Sequence, residues 1–433
     1  MTLFDFFFFF FLRSWFPHNY EVTAFEAYFD MWTLTGNQTY LNAINGAWDM
    51  FRESFLHVGG SMAINEGSNG TNTSSGLWYP PKSYYLEGDN GDGFQKNGSK
   101  IHQTGETCGS VFWIKLNQRY HYHFPTDVRY VYEIERSLLN IGIANQSPSV
   151  GSTIAGVRSF AFLHGQKNFL QHNTTCCEGQ GTRLHGSLPE YLYSLMVGGQ
   201  GISVDIYMAS TIQFDVVGVG GGIESESESG ESEESNNVAL QVESSFPVYY
   251  EPTKKTATTT VTVAHGSGVF VVRLRIPSWA TSTTAKSNNV VIRLNDNATF
   301  EIGQVGSYVE IKRQWSLNDV LSFTLPMQLI SEQYVGLNQI NGTERWSIVY
   351  GPTLLVARNT TLNAWDDEME CIPLRDVNPT TPEKWLVQMD PALLEGNVRM
   401  KFLPTKESGI VGVEFVPYFD VNDEWFTSYP CYM

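Results

Sequence analysis

Two adjacent cysteines, Cys176 and Cys177, occur in the stretch NTTCCEGQGTR of a chain with only five cysteines. Neighbouring thiols do not suit an ordinary disulfide, and a vicinal one is strained. A third thiol, Cys108, lies upstream in HQTGETCGSVFWIKLNQRYH, where Glu106 and Cys108 flank Thr107 at the predicted start of a helix. First-turn amides and the helix dipole favour anionic groups at such a position. Together Glu106, Cys108, Cys176 and Cys177 offer three sulfurs and one carboxylate, a donor set whose number and softness suit tetrahedral Zn2+. The same residues permit blander readings. A buried thiol is most often core, a closed four-ligand zinc is more often structural than catalytic, and a metal-free Cys176–Cys177 redox couple is a third option.

Hydrolysis at a sugar would need a second acid. The segment LHVGGSMAINEGS, Leu56 to Ser68, ends a helical stretch with paired glycines and then offers Glu66. YPPKSYYL follows at Tyr79 to Leu86, supplying aromatic side chains on a rigid turn. On residue type alone, a loop glutamate is more often solvated than chemically employed.

The elements that must position these groups fall into two kinds. From about Tyr20 to Leu195 the apolar period is helical, with Tyr130, Ile134, Leu138 and Ile141 making one stripe and Cys108, Phe112, Leu116 and Tyr120 another. FEAYFDMWTLTGNQTYLNAINGAWDMFRESF predicts two helices joined by a turn at Thr35 to Thr39, so stacked helical hairpins are expected. SLPEYLYSL predicts a helix with Ser187 as N-cap and Pro189 in the first turn. After Gly201 the chain alternates or runs β-branched in short segments such as TATTTVTVAH, GVFVVRLRIPSW and SYVEIKRQW, the signature of an all-β sandwich. The fold class expected is α plus β in several domains. Residues 1–19 are an atypical Phe-rich start outside the fold, 20–200 the helical part, and 201–433 the β region. A Gly-then-acid tract at about 218–238 reads as a disordered surface insertion.

At 433 residues the chain has ample length for two or three cores. Its formal charge of −18, with six acids clustered at Glu224, Glu226, Glu228, Glu231, Glu233 and Glu234, disfavours nucleic acid and anionic membrane surfaces as partners. A neutral ligand such as a glycan fits this charge, and aromatics at 14% suit sugar stacking as well as large cores. The apolar run from Phe6 to Leu12 is too short to span a bilayer and lacks the flanks of a signal peptide. Nine N-x-[ST] sequons, at Asn37, Asn69, Asn72, Asn97, Asn145, Asn173, Asn297, Asn341 and Asn359, are a weak secretory hint. Five cysteines do not make a disulfide framework, although Cys371 and Cys431 could pair as one late staple.

Taken together these motifs resemble the β-L-arabinofuranosidases of glycoside hydrolase family 127 and their relatives. The resemblance rests on E-T-C at Glu106 to Cys108, on Cys176-Cys177 before a helix ending in YLYS, and on LRIPSWA, GSYVEIKRQW, LPMQL and YGPTLLVAR in the β region. It covers most of the chain from about Tyr20 onward. It implies an (α/α)6 barrel followed by antiparallel β-sandwich domains, with zinc held by Glu106, Cys108, Cys176 and Cys177. It further implies Cys176 as nucleophile, Glu66 as acid/base, and retaining hydrolysis that releases L-arabinofuranose from glycan ends. The alternative is a non-catalytic carbohydrate-binding or structural relative with a structural zinc. Two departures from the family pattern stand out. Glu178-Gly179-Gln180-Gly181 replaces the usual Pro-Pro-Asn, predicting a more open backbone beside the reactive sulfur. E-T-C also comes early, so only the later part of the helical barrel is expected, truncated at the N-terminus, with the four ligands still clustered.

Overall fold

The computed structural model describes residues 18–54, 56, 58–60, 104–146, 160–162, 164–166, 175–217, 235–245, 256–281, 289–297, 299–333, 344–359, 372–390, 393–394, 400–421 and 425–432. Helices dominate up to Leu192 and strands thereafter. The chain divides into two compact units, one of Met1–Tyr120, Glu133–Gly186 and Leu329–Met433, the other of His121–Tyr132 and Ser187–Gln328. No described helix is long and apolar enough to cross a membrane. Residues 1–17 and the acidic tract at 218–234 lie outside the described residues, while 235–238 belong to a strand.

The first unit opens with the expected hairpin, α1 (His18–Thr35) and α2 (Gln38–Ser54), joined at Gly36-Asn37. Gly36 turns the chain at φ +66°, and Asn37 Oδ1 accepts the Thr39 amide at 3.0 Å, a local cap that starts α2. Helix α3 (Thr107–His123) carries the sequence's second stripe, yet burial is not confined to that stripe: every residue from Thr107 through Gln118 is buried except the stripe's own Phe112, which is half-buried. Its polar groups are matched accordingly. Trp48 Nε1 donates to Asn117 at 2.8 Å, Tyr120 donates to Asn45 at 2.9 Å, and Arg119 pairs with Glu26 and Asp30 of α1. Trp48 stacks on Trp113, adding ring contact to area burial.

Helix α4 (Val128–Ser137) continues without a break into a π-helical turn, Leu138–Ile143. Single π turns inside helices frequently mark functional positions. Ile134, Leu138 and Ile141, read from the sequence as one stripe, are all at most 2% exposed. The turn faces a core built with Val58, Leu354, Val356, Val416 and Phe426, so the C-terminal strands complete the same hydrophobic unit as the helices. Asn140 locks the two together, accepting the Leu354 amide at 2.8 Å and donating to the Pro352 carbonyl at 2.8 Å.

Those strands form a ten-stranded sheet, whose centre is Glu344–Tyr350, Thr353–Asn359 and Val413–Pro417. Cys431, fully buried in the strand Cys431–Tyr432 that lies between Pro373–Leu374 and Glu344–Tyr350, is disulfide-bonded. Its amide donates to the Ile372 carbonyl at 2.9 Å, next to Cys371, which lies outside the described residues.

The second unit holds a six-stranded sheet, in spatial order Glu301–Gln304, Asn289–Leu294, Val320–Pro326, Thr256–His265, Ser235–Ser244, Ser210–Val217. A four-stranded sheet, Ser307–Trp315, Gly268–Ile276, Gly201–Val204, Tyr193–Leu195, accompanies it. Asn289–Leu294 alternates exposed and buried residues, whereas Phe270–Ile276 is buried throughout. Phe214 of the first sheet meets Phe270 of the second edge to face at 5.9 Å. The helix expected over SLPEYLYSL spans only Leu188–Leu192, and Ser187 makes no side-chain cap. Tyr193 turns extended there and pairs with Val204, so sheet pairing outcompetes a five-residue helix.

Candidate functional site

The residues singled out by chemistry lie on three segments of the first unit. Strand Thr104–Glu106 runs directly into α3, so Glu106 ends a strand and Thr107 and Cys108 open a helix. The strand is fixed by antiparallel pairing with Phe160–Phe162, Glu106 opposite Phe160. Two residues further, His164–Gln166 pairs with Trp425–Thr427 of the ten-stranded sheet. The E-T-C junction is therefore tied through one short stretch of chain to the core sheet. Cys108 carries a thiol rather than a disulfide and is 3% exposed.

The second segment is α5 (Thr175–Gly186), which places Cys176 and Cys177 in a first helical turn. Both sulfur-bearing segments thus begin helices, where unsatisfied amides and the dipole stabilise thiolate over thiol. Glu178, Gly179, Gln180 and Gly181 continue α5, so the open backbone expected beside the cysteines is instead helical. Two helical glycines weaken such a helix by about 1 kcal/mol each relative to alanine, and its packing compensates. Leu184 is buried against Gly142, where an added Cβ would stand 2.8 Å from Leu184 Cδ2. His185 bonds to the Gly142 backbone and lies 2.9 Å from the Gln146 amide, and burial holds its pKa below the ordinary value.

The third segment is the glycine pair that precedes Glu66. Glu66 itself lies outside the described residues, as do the side chains of Glu106, Cys176 and Cys177. Gly59 and Gly60 have φ of +80° and +87°. A Cβ on Gly60 would stand 2.5 Å from Ser137 Oγ, and one on Gly59 would stand 3.2 Å from Asn140 Cβ. Ser137 donates to the Gly60 carbonyl at 2.8 Å, and Tyr429 accepts the Val58 amide at 3.2 Å. Only glycine meets both the left-handed backbone and the close approach. Gly60→Ala is expected to cost about 2–4 kcal/mol, from strain and the displacement of Ser137. A denaturant midpoint matching the parent's would refute this.

Residue types and spacing gave no sign of a second cluster, in the other unit. Asp205, 1% exposed, accepts hydrogen bonds from Ser194 at 2.6 Å, Ser203 at 2.7 Å and Tyr308 at 2.9 Å, and lies 3.1 Å from His121 Nε2. It has the members of a Ser–His–Asp triad but not the geometry. Ser194 and Asp205 both approach the same ring nitrogen, whereas a triad places them on opposite nitrogens. The cluster is a buried polar staple.

Among the described residues no three His, Cys, Asp or Glu side chains form a metal-holding group. The comparisons with known proteins bear on the class of molecule. Helices in the N-terminal part of the chain are followed by β-rich sheets. The family model for the GH127 β-L-arabinofuranosidase catalytic domain matches residues 17–190, and the GH127 middle-domain model matches 201–327. The chain belongs to glycoside hydrolase family 127. A solved GH127 β-arabinofuranosidase is similar with TM-score 0.64 at 17% identity, covering 95% of this chain and 59% of that one. A solved GH127 β-L-arabinofuranosidase from Geobacillus stearothermophilus T6 gives 0.60 at 16% identity, over 95% and 60%. Another structure, described as a glycoside hydrolase, gives 0.61 at 14%, over 94% and 64%. The chain therefore spans about three fifths of the length of these neighbours. No curated protein matches the sequence.

Proposed function

We propose that the protein is a retaining glycoside hydrolase that uses Cys176 as nucleophile and Glu66 as acid/base to release L-arabinofuranose from glycan ends. The observation that carries the reading is the family match over 17–190, which spans E-T-C and Cys-Cys. The architecture proposed with it is the later part of an (α/α)6 barrel over 20–200, then a β-sandwich region.

The donor chemistry fits a zinc ion. Three thiols and one carboxylate match its preference, Cys108 is buried and outside any disulfide, and the cysteines start helices whose amide ends favour thiolates. Glu106, Cys108, Cys176 and Cys177 would hold it, and bound zinc would keep the thiols deprotonated near neutral pH. Cys176 Sγ forms a bond to the anomeric carbon as the glycosidic C–O bond breaks, and the Glu66 carboxyl gives its proton to the departing oxygen. Glu66, now a carboxylate, takes a proton from water. That water's oxygen bonds to the anomeric carbon as the C–S bond breaks, returning the thiolate. Two inversions leave the configuration unchanged.

The test is turnover of an aryl β-L-arabinofuranoside, together with zinc analysis of the same preparation. One zinc per chain, with release of arabinose in the β configuration at first formation, is the expected outcome. Bound zinc with no cleavage of any furanoside would leave a structural metal site and sink the hydrolase reading.

A further inference from the structure

The π turn and its exit, Ser137–Gln146, reach all three segments that carry the proposed site. Ser137 donates to the Gly60 carbonyl, on the chain leading to Glu66. Gly142 and Gln146 hold Leu184 and His185 of α5, the Cys176–Cys177 helix. Asn145, at the exit, donates from Nδ2 to Thr107 Oγ1 at 2.8 Å, and Thr107 is the middle residue of E-T-C. Asn145 is fully buried, its backbone amide bonds to the Ile141 carbonyl at 3.0 Å, and Thr107 is 1% exposed. Asn145 Oδ1 is buried with no hydrogen-bond partner among the described residues. A buried amide oxygen without a partner carries a desolvation cost, so Asn145 keeps its buried position through the bond that its nitrogen makes to Thr107.

Resting on the zinc-thiolate reading above, we propose that Asn145 is a positioning residue for the metal site, acting through Thr107 to fix the strand-to-helix junction that carries Glu106 and Cys108 in the chain. A hydrogen bond to the residue between two ligands restricts the backbone of both. Partners of the ligands themselves typically change metal affinity by about 10–100-fold, and a group acting through the residue between them belongs at the lower end of that range. The same placement closes the Asn145-Gln146-Ser147 sequon to glycosylation in the folded chain, because the acceptor nitrogen is buried and engaged.

The test uses the full chain and Co2+ as probe, with affinity read by chelator competition and site geometry by the thiolate-to-cobalt and d–d absorption bands. Asn145→Ala is expected to weaken Co2+ binding about 10-fold and alter the d–d bands. Thr107→Val, which keeps shape and removes the acceptor, is expected to do the same, and the double variant to be no worse than either single one. Should Asn145→Ala fail to fold, Thr107→Val alone decides. Asn140→Ala, which loosens the same π segment from Leu354 and Pro352, is expected to lower stability and leave the affinity unchanged. Parent-like affinity and bands in a folded Asn145→Ala or Thr107→Val variant would overturn the inference while leaving the zinc reading intact. A parent protein that binds neither Co2+ nor Zn2+ would overturn both.

Discussion

Cys176→Ser is expected to reduce kcat on an aryl β-L-arabinofuranoside by about 10^4-fold or more, the scale seen when a covalent nucleophile is removed. Sulfur and oxygen differ in two ways that matter at this position. A thiol at a helix start and beside a cation ionises near neutral pH, whereas a serine hydroxyl does not. A thiolate is also the better leaving group, so the C–S bond formed in the first displacement is readily broken in the second. Cys177→Ser is expected to act differently, by removing one sulfur ligand and weakening metal affinity, with partial recovery of rate at excess zinc. The two variants side by side separate nucleophile from ligand. The measurement is steady-state rate against zinc concentration, with intact-mass detection of a Cys176 adduct from a slow substrate. Equal, zinc-rescuable losses in both would show that Cys176 only binds metal.

The division between helical and stranded regions was legible because the two periods differ so clearly. Ile134, Leu138 and Ile141 repeat at helical spacing and are buried, and TATTTVTVAH is a strand over its full length. The helix start at Glu106-Thr107-Cys108 was legible from the apolar run after it, whereas the three-residue strand before it depends on pairing with Phe160–Phe162 and was not. Less local features were not readable. That Leu329–Met433 folds with the helices rather than with the neighbouring strands depends on partners hundreds of residues away, such as Asn140 with Leu354. The π turn leaves no periodic mark in six residues. Asn145 did carry a signal, since it follows Ile141 by four positions and so continues the stripe through Ile134 and Leu138. A polar residue on a buried stripe is expected to bond inside, as Asn145 does with Thr107. Asp205 and its donors come from four separate stretches of chain, and only folding brings them to one carboxylate.

That carboxylate carries the second large effect, this time on stability. Asp205→Ala is expected to cost about 3–5 kcal/mol, because it strands Ser194, Ser203, Tyr308 and His121 around an empty buried position. The variant's melting temperature is expected to fall by roughly 10 °C. The effect has a pH signature. Burial by itself raises the Asp205 pKa, but the charge of His121 and the hydrogen bonds from His121, Ser194 and Ser203 outweigh it and hold the pKa below its ordinary value of 3.8. A carboxylate with a depressed folded-state pKa contributes its full stabilisation above the unfolded-state value and loses it as pH falls through the folded one. The gap in melting temperature between parent and variant should therefore be constant from neutral pH to about pH 5 and narrow progressively below about pH 4. Tyr308 bears on the same carboxylate, its own hydroxyl pKa pushed well up by burial and by the Asp205 charge, so it remains a donor throughout this range. A gap that stays level down to pH 2 would mean that the anionic charge of Asp205 contributes nothing, and that shape alone holds the cluster.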